Sequence, residues 1–216
     1  MKKSPAFAVP IKKFLITLRN FCRPLEQPLI HLARGTQAAD CLMLYTLGEL
    51  RPVTGADAYI APNATIIGDV TLGEKSSVWY GCILRGDVHS IRVGDETNIQ
   101  DASVIHVTGG KFATTIGSRV TIGHRVLIHG ATIMDDGFIG MGATLLDGVT
   151  VEPYGFVAAG ALVPPGFTVK SGWLALGSPA KLVREIRSEE REMMVRTWQN
   201  YVKNAALHRE QLRAIS

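Results

Sequence analysis

Residues 133–169 read IMDDGFIGMGATLLDGVTVEPYGFVAAGALVPPGFTV, and an aliphatic side chain returns at every sixth position. A period of six is neither the 3.6-residue period of an α-helix nor the two-residue alternation of a long strand. It is typical of a parallel β-helix, in which short strands separated by turns wind around a prism. The stretch therefore predicts an all-β solenoid of hexapeptide repeats, with three faces to each coil. The repeat positions are Ile133, Ile139, Leu145, Val151, Val157, Val163 and Val169.

The same rhythm runs through the preceding part of the chain, with two interruptions. The step from Leu84 to Val93 is longer than one repeat, which predicts a loop there. The step from Ile105 to Ile116 is also longer, so residues 107–115 (VTGGKFATT) should bulge out of the coil. These earlier repeat positions are Ile60, Ile66, Leu72, Val78, Leu84, Val93, Ile99, Ile105, Ile116, Ile122 and Ile128.

Three parts of the chain follow from this pattern: an N-terminal extension over residues 1–50, the β-helix over 51–185 and a C-terminal helix over 186–216. The extension has an apolar face at helical spacing surrounded by lysine and arginine. Such a basic amphipathic helix fits an organelle transit peptide, a partner-binding or interfacial helix, or a helix packed on its own solenoid. Its apolar residues are Ile11, Phe14, Leu15, Leu18, Phe21 and Cys22.

The C-terminal segment opens with Ser188, a predicted N-cap, and then carries one apolar stripe. A stripe of this kind must be covered, either by a flat side of the same prism or by a neighbouring subunit. The members of the stripe are Met194, Trp198, Tyr201, Val202, Ala205 and Leu212.

Composition excludes several classes of protein. The net charge is only +4, and the repeats contain no run of basic residues interleaved with aromatic ones, so we expect no nucleic-acid partner. The three cysteines are odd in number and far apart, which argues for a reducing compartment rather than a disulfide framework. No apolar stretch reaches the roughly 20 residues of a membrane span.

The repeat geometry predicts which distant side chains stack on one another. Leu84, Ile105 and Ile128 open repeats that are three hexads apart, so they should share one face on successive coils. The residues that follow them, Arg85, His106 and His129, should then form a column with a spacing of about 4.8 Å. On an adjacent face, His124 should lie one coil above Asp101, and Gln100 precedes Asp101 in the chain.

Two imidazoles on neighbouring coils can share one metal ion, because zinc–nitrogen bonds are about 2.0–2.1 Å long. A catalytic site needs a third ligand and an open position, and His124 lies on another face of the prism. If subunits pack around a threefold axis, His124 of one chain can meet His106 and His129 of the next. The alternative is that the three histidines are solvated or hydrogen-bonded structural residues.

The same packing would bring Arg85 of one chain near Asp101 of its neighbour, and Asp87 could share the guanidinium. This set could contribute to catalysis or only hold the trimer together. A metal ion that is held by three histidines and keeps one coordination position open lowers the pKa of bound water to about 7. Zinc, iron and cobalt all suit three imidazole ligands, so the residues alone do not select the metal.

The chain resembles the gamma-class carbonic anhydrases and their mitochondrial and bacterial relatives. The resemblance spans roughly residues 51–205 and includes all three histidines in order. The segments that carry it are 78–88 (VWYGCILRGDV), 97–101 (TNIQD), 105–107 (IHV), 120–130 (VTIGHRVLIHG), 138–149 (FIGMGATLLDGV) and 177–181 (GSPAK).

This resemblance implies a left-handed β-helix, a homo- or heterotrimer, and a zinc ion, or iron or cobalt, that serves the reversible hydration of carbon dioxide to bicarbonate. His106, His124 and His129 match the metal ligands. Gln100 matches the residue that orients bound hydroxide, and the interface ion-pair set maps to Arg85, Asp87 and Asp101.

The amino-acid sequence of the repeats is most similar to that of the mitochondrial branch, whose members form a heterotrimer on the membrane arm of respiratory complex I. That similarity implies a location on the matrix side of the inner mitochondrial membrane; a free bacterial-type homotrimer in the cytoplasm is the alternative. Family members with high activity carry carboxylates in the loop at residues 107–115, and this chain has none there.

Two further functions stay open. A structural or assembly subunit of the respiratory complex would need the N-terminal extension more than catalytic turnover. A hexapeptide-repeat acyltransferase would need one catalytic base and a groove for a coenzyme thioester, and it would not explain the stacking of His106 on His129.

Overall fold

The computed structural model describes residues 43–215 as a parallel β-solenoid followed by one α-helix. The predicted N-terminal amphipathic helix falls within residues 1–42 and lies outside the described residues, as does residue 216. In chain order the elements are β1 (Met43–Tyr45), β2 (Val53–Thr54), β3 (Tyr59–Ile60), β4 (Thr65–Leu72), β5 (Ser77–Val78), β6 (Ile83–Val93), β7 (Asn98–Ile99), β8 (Val104–His106), β9 (Thr114–Ile116), β10 (Thr121–Ile122), β11 (Leu127–His129), β12 (Thr132–Ile133), β13 (Phe138–Ile139), β14 (Thr144–Leu145), β15 (Thr150–Val151), β16 (Phe156–Val157), β17 (Leu162–Val163), β18 (Thr168–Val169), β19 (Trp173–Gly177), β20 (Ala180–Glu185) and α1 (Ser188–Gln211).

The strands stack in parallel into three faces over about seven turns, except that β20 pairs antiparallel with β19 at the end of the solenoid. Face A comprises β1, the first halves of β4 and β6, and then β8, β11, β14 and β17. Face B comprises β2, the second halves of β4 and β6, and then β9, β12, β15 and β18. Face C comprises β3, β5, β7, β10, β13, β16 and β19.

The core is the ladder of repeat residues that the sequence predicts. All the predicted repeat positions are buried except Ile60, which is partly exposed. The short strands place them in register, so that Ile105 pairs with Ile128 and Ile128 with Leu145. Cys82 also lies in this core, where burial raises the pKa of its thiol to about 11. The thiol is therefore a packing group within the buried core.

The two irregular steps of the rhythm have different structures. Residues between His106 and Thr114 leave the coil as a bulge, closed by paired backbone hydrogen bonds between Thr108 and Phe112. The loop predicted between Leu84 and Val93 is wrong, because β6 runs through that segment as one strand. The extra residues are absorbed as a register shift against β4.

Helix α1 lies along face C, where it contacts β3, β5, β7 and β10. Met194 and Ala205 are buried, and the Tyr201 ring packs edge-on against Trp79 at 5.3 Å between centroids. Of the two expected ways of covering the stripe, the chain itself supplies the first, a flat side of the same prism, for Met194, Tyr201 and Ala205. Leu212, also a predicted member of the stripe, follows the end of α1 and is 40% exposed. None of the described helices is long and apolar enough to cross a membrane.

The start of α1 differs from the prediction. Ser188 is the first helical residue rather than the N-cap, and Arg187 occupies the cap position. The Glu190 carboxylate accepts the Arg187 backbone N–H at 2.8 Å and binds the Arg184 guanidinium at 2.7 and 2.8 Å. These bonds, first that of Arg184, lower the pKa of Glu190 to about 2. One carboxylate thus joins β20 to the helix and caps it.

We expect Glu190→Gln to destabilise the protein by about 1 kcal/mol at pH 7, since both partners are partly exposed and solvent screens the ion pair. Because the folded-state pKa is depressed, this stabilisation is present above the ordinary glutamate pKa of 4.5 and fades as the pH falls toward 2. Urea unfolding at fixed protein concentration between pH 7 and pH 3 should therefore show a shrinking difference from wild type. Glu192→Gln, in an exposed i,i+4 pair on the same helix, is the control. A difference that grows toward pH 3 would contradict this assignment.

The ladder makes a second prediction, at two adjacent residues. Ile133 is completely buried, whereas Met134 is 40% exposed on the outer side of the same coil. Ile133→Ala should cost about 3 kcal/mol because it leaves a cavity in a close-packed core. Met134→Ala should cost less than about 1 kcal/mol. Equal losses in urea unfolding would mean that the inward positions do not carry the stability of the solenoid.

Candidate metal centre

Arg85, His106 and His129 occupy equivalent outward positions on successive rungs of face A. His106 and His129 pair directly in the register between β8 and β11. Arg85 follows Leu84, which pairs with Ile105 one residue before His106. Successive side chains of a strand point to opposite faces, so the buried ladder directs these three residues outward. The column that the six-residue rhythm predicts is present.

The two imidazoles of this column face each other through one nitrogen each. His106 Nδ1 lies 3.0 Å from His129 Nε2, and the ring centroids are 5.0 Å apart. The outer nitrogen of each ring meets a carboxylate: His106 Nε2 lies 3.0 Å from Asp87 Oδ1, and His129 Nδ1 lies 2.7 Å from Asp147 Oδ1. An ionised carboxylate accepts a hydrogen bond from the ring N–H that faces it.

The donor set fits a metal ion. When each outer nitrogen carries the ring proton and donates a hydrogen bond to its carboxylate, the two facing nitrogens both present lone pairs, which repel each other unless a cation lies between them. When two imidazole nitrogens bind one tetrahedral metal ion at about 2.0–2.1 Å each, the two nitrogens lie roughly 3 Å apart. A carboxylate on the outer nitrogen of a histidine ligand is also the usual surrounding of such a site.

His124 lies apart from this pair. It follows β10 at the turn that leaves face C, and its Nδ1 is 2.9 Å from Asp101 Oδ2. Asp101 is one coil below, as predicted, and the His124 side chain is 41% exposed. Among residues 43–215 no three histidine, cysteine or acidic side chains converge on one point. A single chain therefore presents two of the predicted ligands in one place and the third in another.

Asp87 connects the histidine pair to Arg85. Its Oδ2 accepts a hydrogen bond from Arg85 Nη1, while Oδ1 faces His106. Desolvation acts to raise the pKa of Asp87, but the hydrogen bonds from His106 and Arg85 outweigh it and lower the pKa below its ordinary value. Asp87 therefore stays ionised and accepts hydrogen bonds from both Arg85 and His106.

Gln100 is buried beside His124, and its amide orientation is set by a chain of hydrogen bonds. Gln100 Nε2 donates to Asn98 Oδ1 at 3.0 Å, and Asn98 Nδ2 donates to Thr121 Oγ1 at 3.1 Å. Within the described part of the chain, the Gln100 side-chain oxygen accepts no hydrogen bond. Gln100 and His124 border a mainly apolar groove of about 300 Å³ that Phe138, Phe156 and Tyr201 also line.

The sequence reasoning missed two residues of the centre, Asp147 and Thr108. Asp147 binds His129 Nδ1, and Thr108 Oγ1 donates to Asp147 Oδ2 at 2.8 Å. The hydrogen bond from His129 is the main cause that lowers the pKa of Asp147. A signal for this contact exists in Gly130, since a Cβ there would lie 2.5 Å from Asp147 Oδ1.

The fold and the stacked repeats place the chain among the hexapeptide-repeat β-helix proteins, which are left-handed. A hexapeptide transferase family protein from Anaplasma phagocytophilum is 41% identical with a TM-score of 0.73, covering 76% of this chain and 96% of that one. A putative acetyltransferase from Bacillus cereus is 37% identical with a TM-score of 0.76, covering 78% of this chain and 97% of that one. No family model matches the chain.

Two curated relatives indicate the family within this class of hexapeptide-repeat proteins. "Probable carbonic anhydrase" of Methanocaldococcus jannaschii is 53% identical over 144 residues, 67% of this chain and 90% of that protein. "Gamma carbonic anhydrase 2, mitochondrial" of Arabidopsis thaliana is 47% identical over 170 residues, 76% of this chain. The match spans only 61% of that plant protein's length. The chain belongs to the gamma carbonic anhydrase family.

Proposed function

We propose that this protein is a gamma-type carbonic anhydrase that hydrates carbon dioxide reversibly to bicarbonate at a metal centre shared between subunits of a trimer. The observation that carries the proposal is the pair of stacked imidazoles whose inner nitrogens, His106 Nδ1 and His129 Nε2, face each other at 3.0 Å. Each ring is held by a carboxylate on its other nitrogen. Family membership supports the same chemistry.

His106 and His129 would hold the metal from one subunit, and His124 of a neighbouring subunit would supply the third nitrogen. Zinc, iron and cobalt are all compatible with three imidazoles. A metal bound there with one open coordination position would act as a Lewis acid and lower the pKa of bound water to about 7. Asp87 accepts a hydrogen bond from His106, and the Asp101 carboxylate lies 2.9 Å from His124 Nδ1, so each would leave the other ring nitrogen of its histidine for the metal.

The separation of His124 from the histidine pair supports an assembled site. Residues at a turn after face C and on face A of one rigid prism cannot approach each other, but two prisms related by a threefold axis can bring these regions together. In that arrangement Arg85 and Asp87 of one subunit would meet Asp101 of the next. The trimer can be formed by copies of this chain or by related subunits.

The groove beside His124 suits the proposed substrate. Carbon dioxide is small, uncharged and apolar, and aromatic walls such as Phe138 and Phe156 accept it without loss of a hydrogen bond. The Gln100 side-chain oxygen could accept a hydrogen bond from water held at the metal, because Asn98 already accepts a hydrogen bond from the Gln100 amide nitrogen. Gln100 therefore orients the attacking water in this proposal.

A second function is supported by the mitochondrial relatives and by the missing carboxylates. The chain is 52% identical over 153 residues to "Gamma carbonic anhydrase 3, mitochondrial" of Arabidopsis thaliana. Residues 107–115 contain no acidic side chain to carry the proton away from the site. We infer a mitochondrial location on the matrix side of the inner membrane, as a subunit of respiratory complex I, in which turnover is slow and the protein has a structural role.

His124→Ala should abolish metal binding and carbon dioxide hydration, because two imidazoles alone hold a divalent metal weakly. Metal content of the purified trimer and stopped-flow hydration rates measure the two effects. His89→Ala is the control for metal content, since His89 Nδ1 accepts the adjacent Ser90 backbone N–H and is not among the proposed ligands. Unchanged metal content in His124→Ala would remove His124 from the site.

Mixing subunits tests the shared site directly. Protein with His106→Ala and protein with His124→Ala, refolded together in equal amounts, should regain about one quarter of the wild-type metal content. This is the fraction of interfaces at which random mixing places an intact His106 side against an intact His124 side. A mixture of His106→Ala with His129→Ala should regain none, because both lesions affect the same side. Equal recovery in the two mixtures would refute a site built between subunits.

A further inference from the structure

The Asp147 carboxylate bridges the metal centre and the bulge that leaves face A after β8. One oxygen lies 2.7 Å from His129 Nδ1, and the other accepts the Thr108 hydroxyl at 2.8 Å. Both oxygens therefore have a partner, which restricts rotation of the carboxylate. The bulge, which lacks any acidic residue, thus contacts the centre through a hydroxyl group.

The bulge itself is held in place at two points. Thr108 and Phe112 exchange backbone hydrogen bonds of 2.9 and 3.0 Å, which close the loop behind the hydroxyl. Phe112 packs over the two glycines that flank Asp147 in space: added Cβ atoms would lie 2.7 Å from Phe112 Cβ at Gly130 and 3.2 Å from Phe112 Cε1 at Gly148. Gly130 also has a φ of 60°, so a side chain there would be strained as well as crowded.

The consequence for His129 concerns the proton on its ring. A carboxylate that is held against Nδ1 favours the tautomer protonated at that nitrogen, and the lone pair is then on Nε2. Nε2 is the nitrogen that faces His106. Without this contact the proton can sit on Nε2, and a proton there competes with a metal ion for the same lone pair.

We propose that residues 107–113 clamp the metal centre: Thr108 fixes Asp147, and Asp147 fixes His129 in its metal-binding tautomer. This inference rests on the proposed metal site and adds two positioning residues to it. It gives the acid-free bulge a role in metal retention that is independent of proton export.

The test is the metal affinity of the trimer, measured by competition with a coloured zinc chelator. Loss of an outer carboxylate should weaken zinc binding by about 10- to 100-fold, so we expect this from Asp147→Ala. Thr108→Val keeps the shape of the side chain but removes the hydroxyl, and a smaller loss of about 3- to 10-fold should result. Thr108→Ser restores the hydroxyl and should return the affinity to near the wild-type value. Thr150→Val, on face B, is the matched control and should bind zinc like wild type.

A second measurement distinguishes positioning from general damage. Nitrogen NMR of ¹⁵N-histidine in the metal-free protein at pH 8 should report His129 protonated at Nδ1 in wild type and Thr108→Ser. In Asp147→Ala the signal should shift toward the tautomer protonated at Nε2, while the His124 signal stays unchanged. A substitution that only loosened the fold would change the signals of both His129 and His124.

Three results would overturn the clamp. Equal zinc affinity of wild type, Thr108→Val and Asp147→Ala would refute the clamp and leave the proposed function intact. Failure of Thr108→Ser to rescue would refute the role of the hydroxyl. A wild-type trimer that binds no zinc, iron or cobalt would refute both the clamp and the proposed function.

Discussion

Hydrogen bonding between parallel strands about 4.8 Å apart holds each residue of one coil over its equivalent in the next, and the other properties of the protein depend on this stacking. The inward side chains form an unbroken ladder in which Ile105, Ile128 and Leu145 are all fully buried. A slip of one residue would turn these aliphatic groups to solvent, so burial fixes the register. The outward residues inherit that register. Two histidines placed next to ladder residues therefore meet, without any dedicated loop to bring them together.

The same rigidity that joins His106 to His129 keeps His124 away from both. A prism packed with aliphatic side chains at crystal-like density does not bend to close the gap between a turn after face C and face A. The fold thus brings two of the three predicted ligands together and leaves the third apart from them. Association of subunits is the economical way to complete it, since closed rotational symmetry creates several equivalent sites from one kind of contact. Metal binding and assembly are then expected to stabilise each other.

Periodicity explains which features the sequence could predict. The buried ladder, the stacking of His106 on His129 and the position of Asp101 below His124 all follow from counting repeats. The structures of the two longer segments between repeat positions cannot be predicted by counting, since the period does not describe residues that interrupt it. One became a bulge that brings Thr108 to Asp147, and the other was absorbed inside β6. Ser188 was wrongly predicted as an N-cap because Glu190 satisfies the helix start by reaching back to the Arg187 backbone. The roles of the site residues stay predictions.

Each of the three histidines has its own carboxylate: Asp87 for His106, Asp101 for His124 and Asp147 for His129. A neutral imidazole in water distributes its proton between two nitrogens, and a metal site built from three free imidazoles would have to select one tautomer of each. In the folded chain Asp87 and Asp147 accept hydrogen bonds from one nitrogen of His106 and of His129, and the Asp101 carboxylate lies 2.9 Å from His124 Nδ1, so each carboxylate favours one tautomer of its histidine. They also place negative charge around the point where a cation would bind, which favours the cation further. The spacing of the histidines alone therefore does not reveal the three carboxylates, which come from β6, from the turn before β8 and from the turn after β14. Only the stacked coils bring these segments next to the rings that they orient.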